Sequence, residues 1–174
     1  NPGTQERKYI KKLRDIKYLG NVCLVLELNK SLTDLYWVNV NDPSFPFVAV
    51  IEHTNFVPKN LYNNNNIIYL SKYMDVEDSM YSMSEDELRD LSIQSLKIMF
   101  KDFDESFIVN FTVWRERFSQ PIITRNYSQK IPSHETPIKN LYFSSMCQIY
   151  PEDRGTNYAV NEGKKITRLI ISAN

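Results

Sequence analysis

The chain has 174 residues, 42% hydrophobic and 24% charged, with 21 basic and 21 acidic side chains that give a formal net charge of zero. This length supports one domain with a substantial core, and the composition is ordinary for a soluble globular chain. A zero net charge provides no field that would recruit nucleic acid, so we expect no nucleic-acid partner. No apolar run approaches the roughly 18 residues of a transmembrane helix, so we expect no transmembrane segment.

The residues that usually bind metals are few and scattered. The two cysteines, Cys23 and Cys147, lie in apolar strand-like runs without a C-x-x-C pair, and the two histidines, His53 and His134, are far apart in the sequence. This pattern predicts free buried thiols in a reducing, cytoplasmic compartment and no metal site.

The first half of the chain predicts a helix followed by strands. A charged stretch with Tyr9, Leu13 and Ile16 or Lys17 at helical spacing predicts a short surface helix over Gln5–Tyr18. Apolar or alternating runs predict strands at Val22–Leu28, Tyr36–Asn41, Phe47–Thr54 and Ile67–Tyr73. We expect the first strand to be buried on both faces, the second and third to form an antiparallel pair, and the asparagines of Asn60–Asn66 to form a turn with positive φ.

An acidic loop is predicted over Asp75–Met83, and Ser84 with Glu87 has the spacing of a capping box. The helix that this box begins should end near Lys101 and pack on the sheet. A long strand follows at Phe107–Phe118. Mostly antiparallel strands with a long helix between them predict an α+β fold, a mostly antiparallel or mixed sheet with helices on one face and the other face free to lie over a ligand.

The last third predicts a short buried strand at Leu141–Met146, a polar loop ending in Pro151–Gly155, and a helix from about Asn157 to Ile171. Small polar residues after Gly155 suggest caps at the start of this helix. The helix has one apolar stripe, formed by Ala159, Val160, Gly163, Ile166, Thr167 and Ile170. A helix N-terminus accepts electron-rich groups, and the small Ala159 and Gly163 would let a flat ligand come close.

This last segment, with the pattern Leu-Tyr-Phe-x-x-Met, a polar loop and Gly-Thr-Asn-x-Ala-x-x-x-Gly, resembles the C-terminal flavin motif of the FAD-dependent amine oxidase, protoporphyrinogen oxidase and phytoene desaturase superfamily. The stretches Leu35–Phe56, Ile68–Tyr73 and Gln120–Tyr127 resemble the substrate domain of its bacterial protoporphyrinogen-oxidase-like members. The resemblance covers about Lys17 to Ile171.

The resemblance implies FAD as the cofactor and a helix N-terminus that faces the pyrimidine end of the isoalloxazine. The residues that would contact the ring, mostly through main-chain N–H groups, are Gly155, Thr156, Asn157, Tyr158 and Ala159. Met146 stands where many members have an aspartate that binds the ribityl chain, and Asp153 is a substitute candidate.

Only four glycines are present, so the sequence lacks the G-x-G-x-x-G loop of a dinucleotide-binding fold. The resemblance therefore implies a C-terminal fragment, inactive alone, whose partner is a missing N-terminal FAD-binding half. Residues 1–139 would form the substrate domain, and residues 140–174 would return to the FAD domain.

The implied activity is oxidation of a C–N or C–C bond in a small-molecule substrate by hydride transfer to flavin. Candidate substrate or catalytic residues are Glu52, His53, Gln120, Arg125 and Tyr127, and further candidates are Gln148 and Tyr150, which precede the last helix in a segment that the fold should bring near the ring. Two alternatives stay open: a flavin enzyme like UDP-galactopyranose mutase, for which Arg115, Arg117 and Arg125 could bind a diphosphate, and a non-catalytic binding domain that has lost FAD.

Overall fold

The computed structural model describes residues 3–173, which form two compact units. One unit comprises residues 19–120, and the other comprises residues 3–18 together with 121–173. In chain order the helices and strands are α1 (Thr4–Asp15), β1 (Tyr18–Leu28), β2 (Trp37–Asn39), β3 (Ala49–Glu52), β4 (Asn66–Met74), α2 (Ser79–Ser82), α3 (Glu85–Met99), β5 (Ile108–Pro121) and α4 (Thr156–Ser172).

The unit of residues 19–120 is built on a five-stranded sheet in the order β2-β3-β4-β1-β5. Strands β2 and β3, β3 and β4, and β4 and β1 pair antiparallel. Together with the helices this sheet confirms the predicted α+β fold, including the antiparallel pair of the second and third predicted strands.

One face of the sheet forms the hydrophobic core. Leu24, Leu26 and Leu70 are completely buried there, and Leu88 and Leu96 of α3 pack against them. Because side chains alternate along a strand, the residues between them point to the opposite face. In β1 these residues are only half-buried, so the prediction that β1 is buried on both faces was wrong.

Local turn and cap chemistry follows the sequence closely. The Ser84 hydroxyl accepts from the Glu87 N–H at 3.2 Å, while the Glu87 carboxylate accepts from the Ser84 N–H at 2.8 Å, which confirms the capping box. Asn63 and Asn64 have φ values of 53° and 61°, which confirms the asparagine turn. The predicted acidic loop, however, contains the single-turn helix α2, whose first turn is capped by the Asp78 carboxylate.

The other unit contains α1, α4 and an irregular chain between Pro121 and Gly155. The predicted strand at Leu141–Met146 was wrong: Tyr142 makes one isolated antiparallel bridge to Glu135, and Leu141 is 51% exposed. Asn140 turns the chain with a φ of 65°, Met146 begins a short 3-10 turn, and the residues between them make only this one bridge instead of a ladder. Helix α4 agrees with the prediction to within one residue at either end.

Candidate functional site

The start of α4 has the features of a helix N-terminus that binds anions or other electron-rich groups. Gly155 is its N-cap, in extended conformation, and provides no side-chain cap, unlike the small polar caps that the sequence suggested. The first intrahelical hydrogen bond of α4 runs from the Ala159 N–H to the Gly155 carbonyl, at 3.0 Å. The preceding N–H groups, of Thr156, Asn157 and Tyr158, therefore have no acceptor within the helix. Donors and helix dipole therefore point out of this end toward any bound group.

The loop before α4 carries the predicted ribityl candidates. Asp153 is exposed, and its Oδ1 accepts from the Arg154 N–H at 2.8 Å. Met146 is half-buried in the 3-10 turn Met146–Gln148. A thioether is only a weak acceptor, so Asp153 is the member of this pair that can bind a hydroxyl strongly.

A buried tyrosine forms a hydrogen bond to the main chain just before this loop. Tyr127 is 2% exposed, and its hydroxyl donates to the Cys147 carbonyl at 2.8 Å. Burial, and secondarily the Cys147 thiol, raises the pKa of Tyr127 to about 12. Burial also raises the pKa of Tyr18, and the hydrogen bond between Tyr18 and the Cys147 side chain raises it further. Tyr127, predicted as a substrate candidate, thus acts through the main chain that it holds.

The small residues on α4 lie at an open surface. A Cβ built at Gly163 meets nothing within 4 Å, and Ala159 and Val160 are exposed. No residue of α4 within its described length is fully buried. Space for a flat group or another backbone therefore exists along the predicted apolar stripe.

The second region is the open face of the sheet in the unit of residues 19–120, which we define by the side chains opposite the core. Cross-strand pairing places Trp37, Ile51, Tyr69 and Val25 in one row across four strands. Further residues of this face are Asn21, Cys23, Glu27, Ser71 and Tyr73. Except for Ile51 and Val25, these side chains are aromatic, polar or thiol groups, as a ligand-facing surface requires.

Hydrogen bonds order the polar part of the open face. The Asn21 amide donates to the Ser71 hydroxyl at 2.9 Å, and the amides of Asn65 and Asn110 donate to the two carboxylate oxygens of Glu27 at 3.3 and 3.2 Å. Two neutral amides thus hold the Glu27 side chain on the open face.

His53 lies in an aromatic cluster on the same face. Its Nε2 is 2.8 Å from the Tyr62 hydroxyl, and its ring meets the rings of Tyr62 and Tyr69 edge-on. Burial raises the pKa of Tyr69, with smaller contributions from Tyr62, Cys23 and Tyr36. The imidazole and the Tyr62 hydroxyl form a pair that can hold or exchange a proton.

Glu52 points to the opposite, core side. It is completely buried, and its Oε2 accepts from the N–H groups of Leu32 and Thr33 at 3.1 and 3.0 Å. Its Oε1 is buried without a hydrogen-bond partner. His53, the next residue, contacts Tyr62 and Tyr69 on the open side, so these two neighbouring candidates face opposite sides of the sheet.

The structure therefore separates the predicted residues into two groups. Residues Glu52, His53 and Gln120 belong to the sheet unit, whereas Arg125, Tyr127, Met146, Asp153 and the start of α4 belong to the other unit. Arg125 is exposed and Gln120 half-buried. Gln148 is buried, and its side chain is fully engaged in hydrogen bonds.

Sequence reasoning missed the aromatic partners of His53. The signal was present, because strand alternation puts Tyr69, Ser71 and Tyr73 on the face that the core leucines leave open. Tyr62 lies outside any strand, in the 3-10 turn Lys59–Tyr62, and no periodicity could have identified it.

The residues at the start of α4 fit the pyrimidine end of a flavin. This end carries carbonyl oxygens and a ring nitrogen, and the uncapped first-turn N–H groups are suitable donors. The open space at Gly163 admits a flat group beside the helix. For the ribityl chain the fit rests on Asp153 alone, because Met146 offers no strong acceptor.

Two further properties bear on the surroundings of these sites. Among the described residues, none of the helices is both long enough and apolar enough to cross a membrane. In the same part of the chain, histidine, cysteine and carboxylate side chains do not gather in groups of three or more.

No described protein family and no curated protein matches this sequence. Solved structures match its fold. A candidate protoporphyrinogen oxidase from Exiguobacterium sp. 255-15 superposes with a TM-score of 0.67 and 11% identity, covering 93% of this chain and 37% of its own. An oxidoreductase from Methanosarcina mazei gives 0.58 and 14% identity, covering 82% of this chain and 32% of its own.

A reduced UDP-galactopyranose mutase gives a TM-score of 0.57 and 12% identity, with 74% of this chain and 28% of that protein covered. The chain thus spans about a third of the length of these structures. At such low identity the likeness establishes architecture, not reaction. The chain has the fold of part of two oxidoreductases and a nucleotide-sugar mutase.

Proposed function

We propose that this chain is the substrate-domain part of a FAD-dependent oxidoreductase that oxidises a C–N or C–C bond by hydride transfer to flavin. The observation that carries the proposal is the likeness in fold to a candidate protoporphyrinogen oxidase over 93% of the chain. The resemblance of the Gly155–Gly163 segment to the superfamily's flavin motif supports it independently of the fold.

In this proposal residues 1–139 bind the substrate, and residues 140–174 return to the FAD domain. The partner is a FAD-binding half that supplies the G-x-G-x-x-G loop absent from the printed sequence. The substrate is a small molecule, nucleic acid is not a partner, and the free cysteines suit a reducing, cytoplasmic compartment. The chain alone is inactive because it lacks the site for the FAD diphosphate.

When bound, the flavin would accept the hydride, so the protein needs only to bind, orient and manage protons. The first-turn N–H groups from Thr156 to Tyr158 would bind the pyrimidine end of the ring, and Asp153 the ribityl hydroxyls. In the unit of residues 19–120, His53 and Tyr62 are 2.8 Å apart and would hold a proton for a substrate bound on the open face of that sheet. Gln120 and Arg125 remain candidates for substrate contact.

The second candidate function is a mutase that acts on a nucleotide sugar. The likeness to reduced UDP-galactopyranose mutase favours it. However, the Arg115 guanidinium donates to the Tyr81 carbonyl at 3.1 Å and to the Met83 carbonyl at 2.5 Å. This arginine is engaged in holding α2, so a diphosphate would depend on Arg117 and Arg125, which are exposed.

The experiment that tests the proposal is an absorbance spectrum of the protein purified with its FAD-binding half, beside the 174-residue chain alone. We expect flavin bands in the longer form only. The absence of bands after incubation with FAD would leave a non-catalytic binding domain. With bound flavin, bleaching by candidate amines or saturated substrates supports the oxidase, whereas dithionite-dependent turnover of a nucleotide sugar without net oxidation supports the mutase.

A paired substitution tests the role of α4. Thr156→Pro removes one first-turn N–H at a position that tolerates proline, because Gly155 before it is already extended. We expect weaker FAD binding with the helix retained. Thr156→Ala, which keeps the N–H, is the matched control and should bind FAD like the unsubstituted protein.

A further inference from the structure

A cluster of largely buried polar side chains, centred on His134, lies next to the candidate flavin-binding turn. The His134 Nε2 is 3.1 Å from the Glu162 carboxylate, and their side chains are only 11% and 18% exposed. The His134 Nδ1 is 2.9 Å from the Gln148 side-chain nitrogen and 3.1 Å from the Phe143 carbonyl. One imidazole therefore contacts three different parts of the chain.

Gln148 is the second fixed point of the cluster. It is 7% exposed, and its amide nitrogen donates to the Pro132 carbonyl at 3.1 Å. Its Oε1 accepts from the Ser145 N–H at 2.8 Å. These bonds determine which amide atom faces His134, since Oε1 is already used by a main-chain donor.

The contact between His134 and Glu162 is a close N···O contact and not a hydrogen bond, because the buried Glu162 Oε2 has no hydrogen-bond partner although the His134 Nε2 lies 3.1 Å away. The ring makes its hydrogen bonds at Nδ1, which can accept from the Gln148 amide or donate to the Phe143 carbonyl. The charge that faces the Glu162 carboxylate is the Lys165 ammonium, 3.4 Å from Oε1.

The positions of the two partners along the chain give the cluster its consequence. Gln148 lies immediately before the loop Pro151–Gly155, and Glu162 lies in the second turn of α4. The candidate ring-facing segment, from the loop to Ala159, runs between them. His134 thus closes this segment into a loop that is held at both ends, which restricts where the first-turn N–H groups can point.

We propose that His134, Glu162 and Gln148 form a clamp that positions the N-terminus of α4, with His134 as the shared partner. They are positioning residues, because they act through the main chain and do not line the open surface. The clamp is a property of this chain, whereas its importance for flavin binding rests on the proposed function.

The test is amide hydrogen exchange on the 174-residue chain, which requires no flavin. His134→Leu and Glu162→Leu remove the contact between these two side chains, and we expect exchange in residues 150–162 to accelerate about tenfold or more, because a buried polar group has lost its neighbour. Exchange in β1 and β4 should remain unchanged. Glu162→Gln keeps a polar oxygen beside Nε2 and should restore most of the protection, while Lys164→Gln on the same helix is the matched surface control.

A direct spectroscopic reading complements the exchange data. In the unsubstituted chain, imidazole nitrogen NMR should show a hydrogen on His134 Nε2, the ring nitrogen that lies 3.1 Å from Glu162, and Glu162→Leu should change this resonance. A His134 ring protonated only on Nδ1 overturns the clamp even if the leucine variants fail to fold. Exchange within about twofold of the unsubstituted chain in both leucine variants also overturns it.

The outcome for the proposed function is read separately. In the flavin-loaded longer protein, Glu162→Leu should shift the flavin absorbance or weaken FAD binding, and Glu162→Gln should do so much less. If the exchange and NMR results hold but the longer protein binds no flavin, the proposed function fails and the clamp stands. If flavin binds and the exchange is unaffected, the clamp fails and the function stands.

Discussion

The hydroxyl of Tyr127 donates to the main-chain carbonyl of Cys147 across a distance of 2.8 Å, and both residues are buried. This bond supports the short turn Met146–Gln148 from which the candidate flavin-binding loop begins. A tyrosine that the sequence suggests as a substrate contact is thereby a support for the main chain of the site.

Tyr127→Phe is expected to destabilise the 174-residue chain by about 1–2 kcal/mol, because the buried Cys147 carbonyl loses a donor. Urea denaturation measures this loss. Tyr142→Phe, at a half-buried tyrosine of the same unit, should leave the midpoint nearly unchanged. Equal effects of both substitutions would show that the hydroxyl bond to Cys147 is not the cause.

The same hydroxyl predicts a response at alkaline pH. Burial raises the pKa of Tyr127 from its ordinary value of 10.0 to about 12 in the folded chain. The unfolded chain therefore releases this proton first, so the stabilising contribution is fully present below pH 10 and is lost as the pH rises toward about 12. We expect the stability difference between the unsubstituted chain and Tyr127→Phe to shrink through this interval when unfolding is measured at stepped pH.

The features that the sequence predicts well depend on near neighbours in the chain. Three such features each arise within a few residues: the capping box of Ser84 and Glu87, the positive φ of Asn63, and the apolar stripe that predicts helix α4. The sidedness of β1 was mispredicted because Val25 and Cys23 are as apolar as the core leucines and mask the alternation in burial. In composition the alternation shows only at Asn21 and Glu27, the polar residues of the half-buried face.

The candidate site shows the same division. Gly155 and the residues after it are recognisable from a local motif, whereas the contact of His134 with Glu162 joins an irregular loop to a helix. No spacing rule relates two such residues, because the intervening chain has no regular geometry. Likewise, nothing in the sequence indicates that Tyr127 faces inward rather than toward a substrate.

Glu52 is predicted to stabilise the loop that precedes β2. Its Oε2 accepts from the main-chain N–H groups of Leu32 and Thr33, so Glu52→Ala leaves both donors without this partner and should cost about 2–4 kcal/mol. Glu52→Gln keeps one side-chain oxygen as an acceptor for these N–H groups, so its cost should be clearly smaller. Thermal or urea unfolding measures both.

Glu77→Ala, at an exposed carboxylate of the same unit, is the control for loss of a negative charge. In the flavin-loaded longer protein, the Glu52→Gln variant should retain turnover, because Glu52 faces the core. A complete loss of turnover with normal stability would instead assign Glu52 a role in the chemistry.

Arg115 is predicted to be a structural residue. Because its guanidinium donates to two carbonyls at the end of α2, Arg115→Met should destabilise the chain by about 1–3 kcal/mol. Arg115→Lys should restore only part of this stability, since one ammonium group cannot reproduce both hydrogen bonds of the planar guanidinium. Arg117→Met, at an exposed neighbour, should change stability by less than about 0.5 kcal/mol. Denaturant midpoints provide the measurement. A stable Arg115→Met variant that loses affinity for a nucleotide sugar would favour the mutase.

Gly163 is predicted to have opposite effects in two forms of the protein. A methyl group at this position meets nothing within 4 Å in the structure, and alanine is the better helix former, so Gly163→Ala should stabilise the 174-residue chain by about 0.5–1 kcal/mol. If a flat ligand or another backbone approaches α4 here, the same methyl group must weaken FAD binding in the longer protein. The close approach of that ligand or backbone to α4 would then explain both the open space at Gly163 and the small residues Ala159 and Gly163.

Asn161→Ala is the matched control, because Asn161 is also exposed on α4 and the substitution likewise raises helix propensity. It should stabilise the chain without affecting FAD binding. Thermal unfolding of the short chain and FAD titration of the longer protein separate the two effects. If Gly163→Ala and Asn161→Ala behave alike in both measurements, nothing approaches the helix at Gly163 and its glycine has no role in the flavin site.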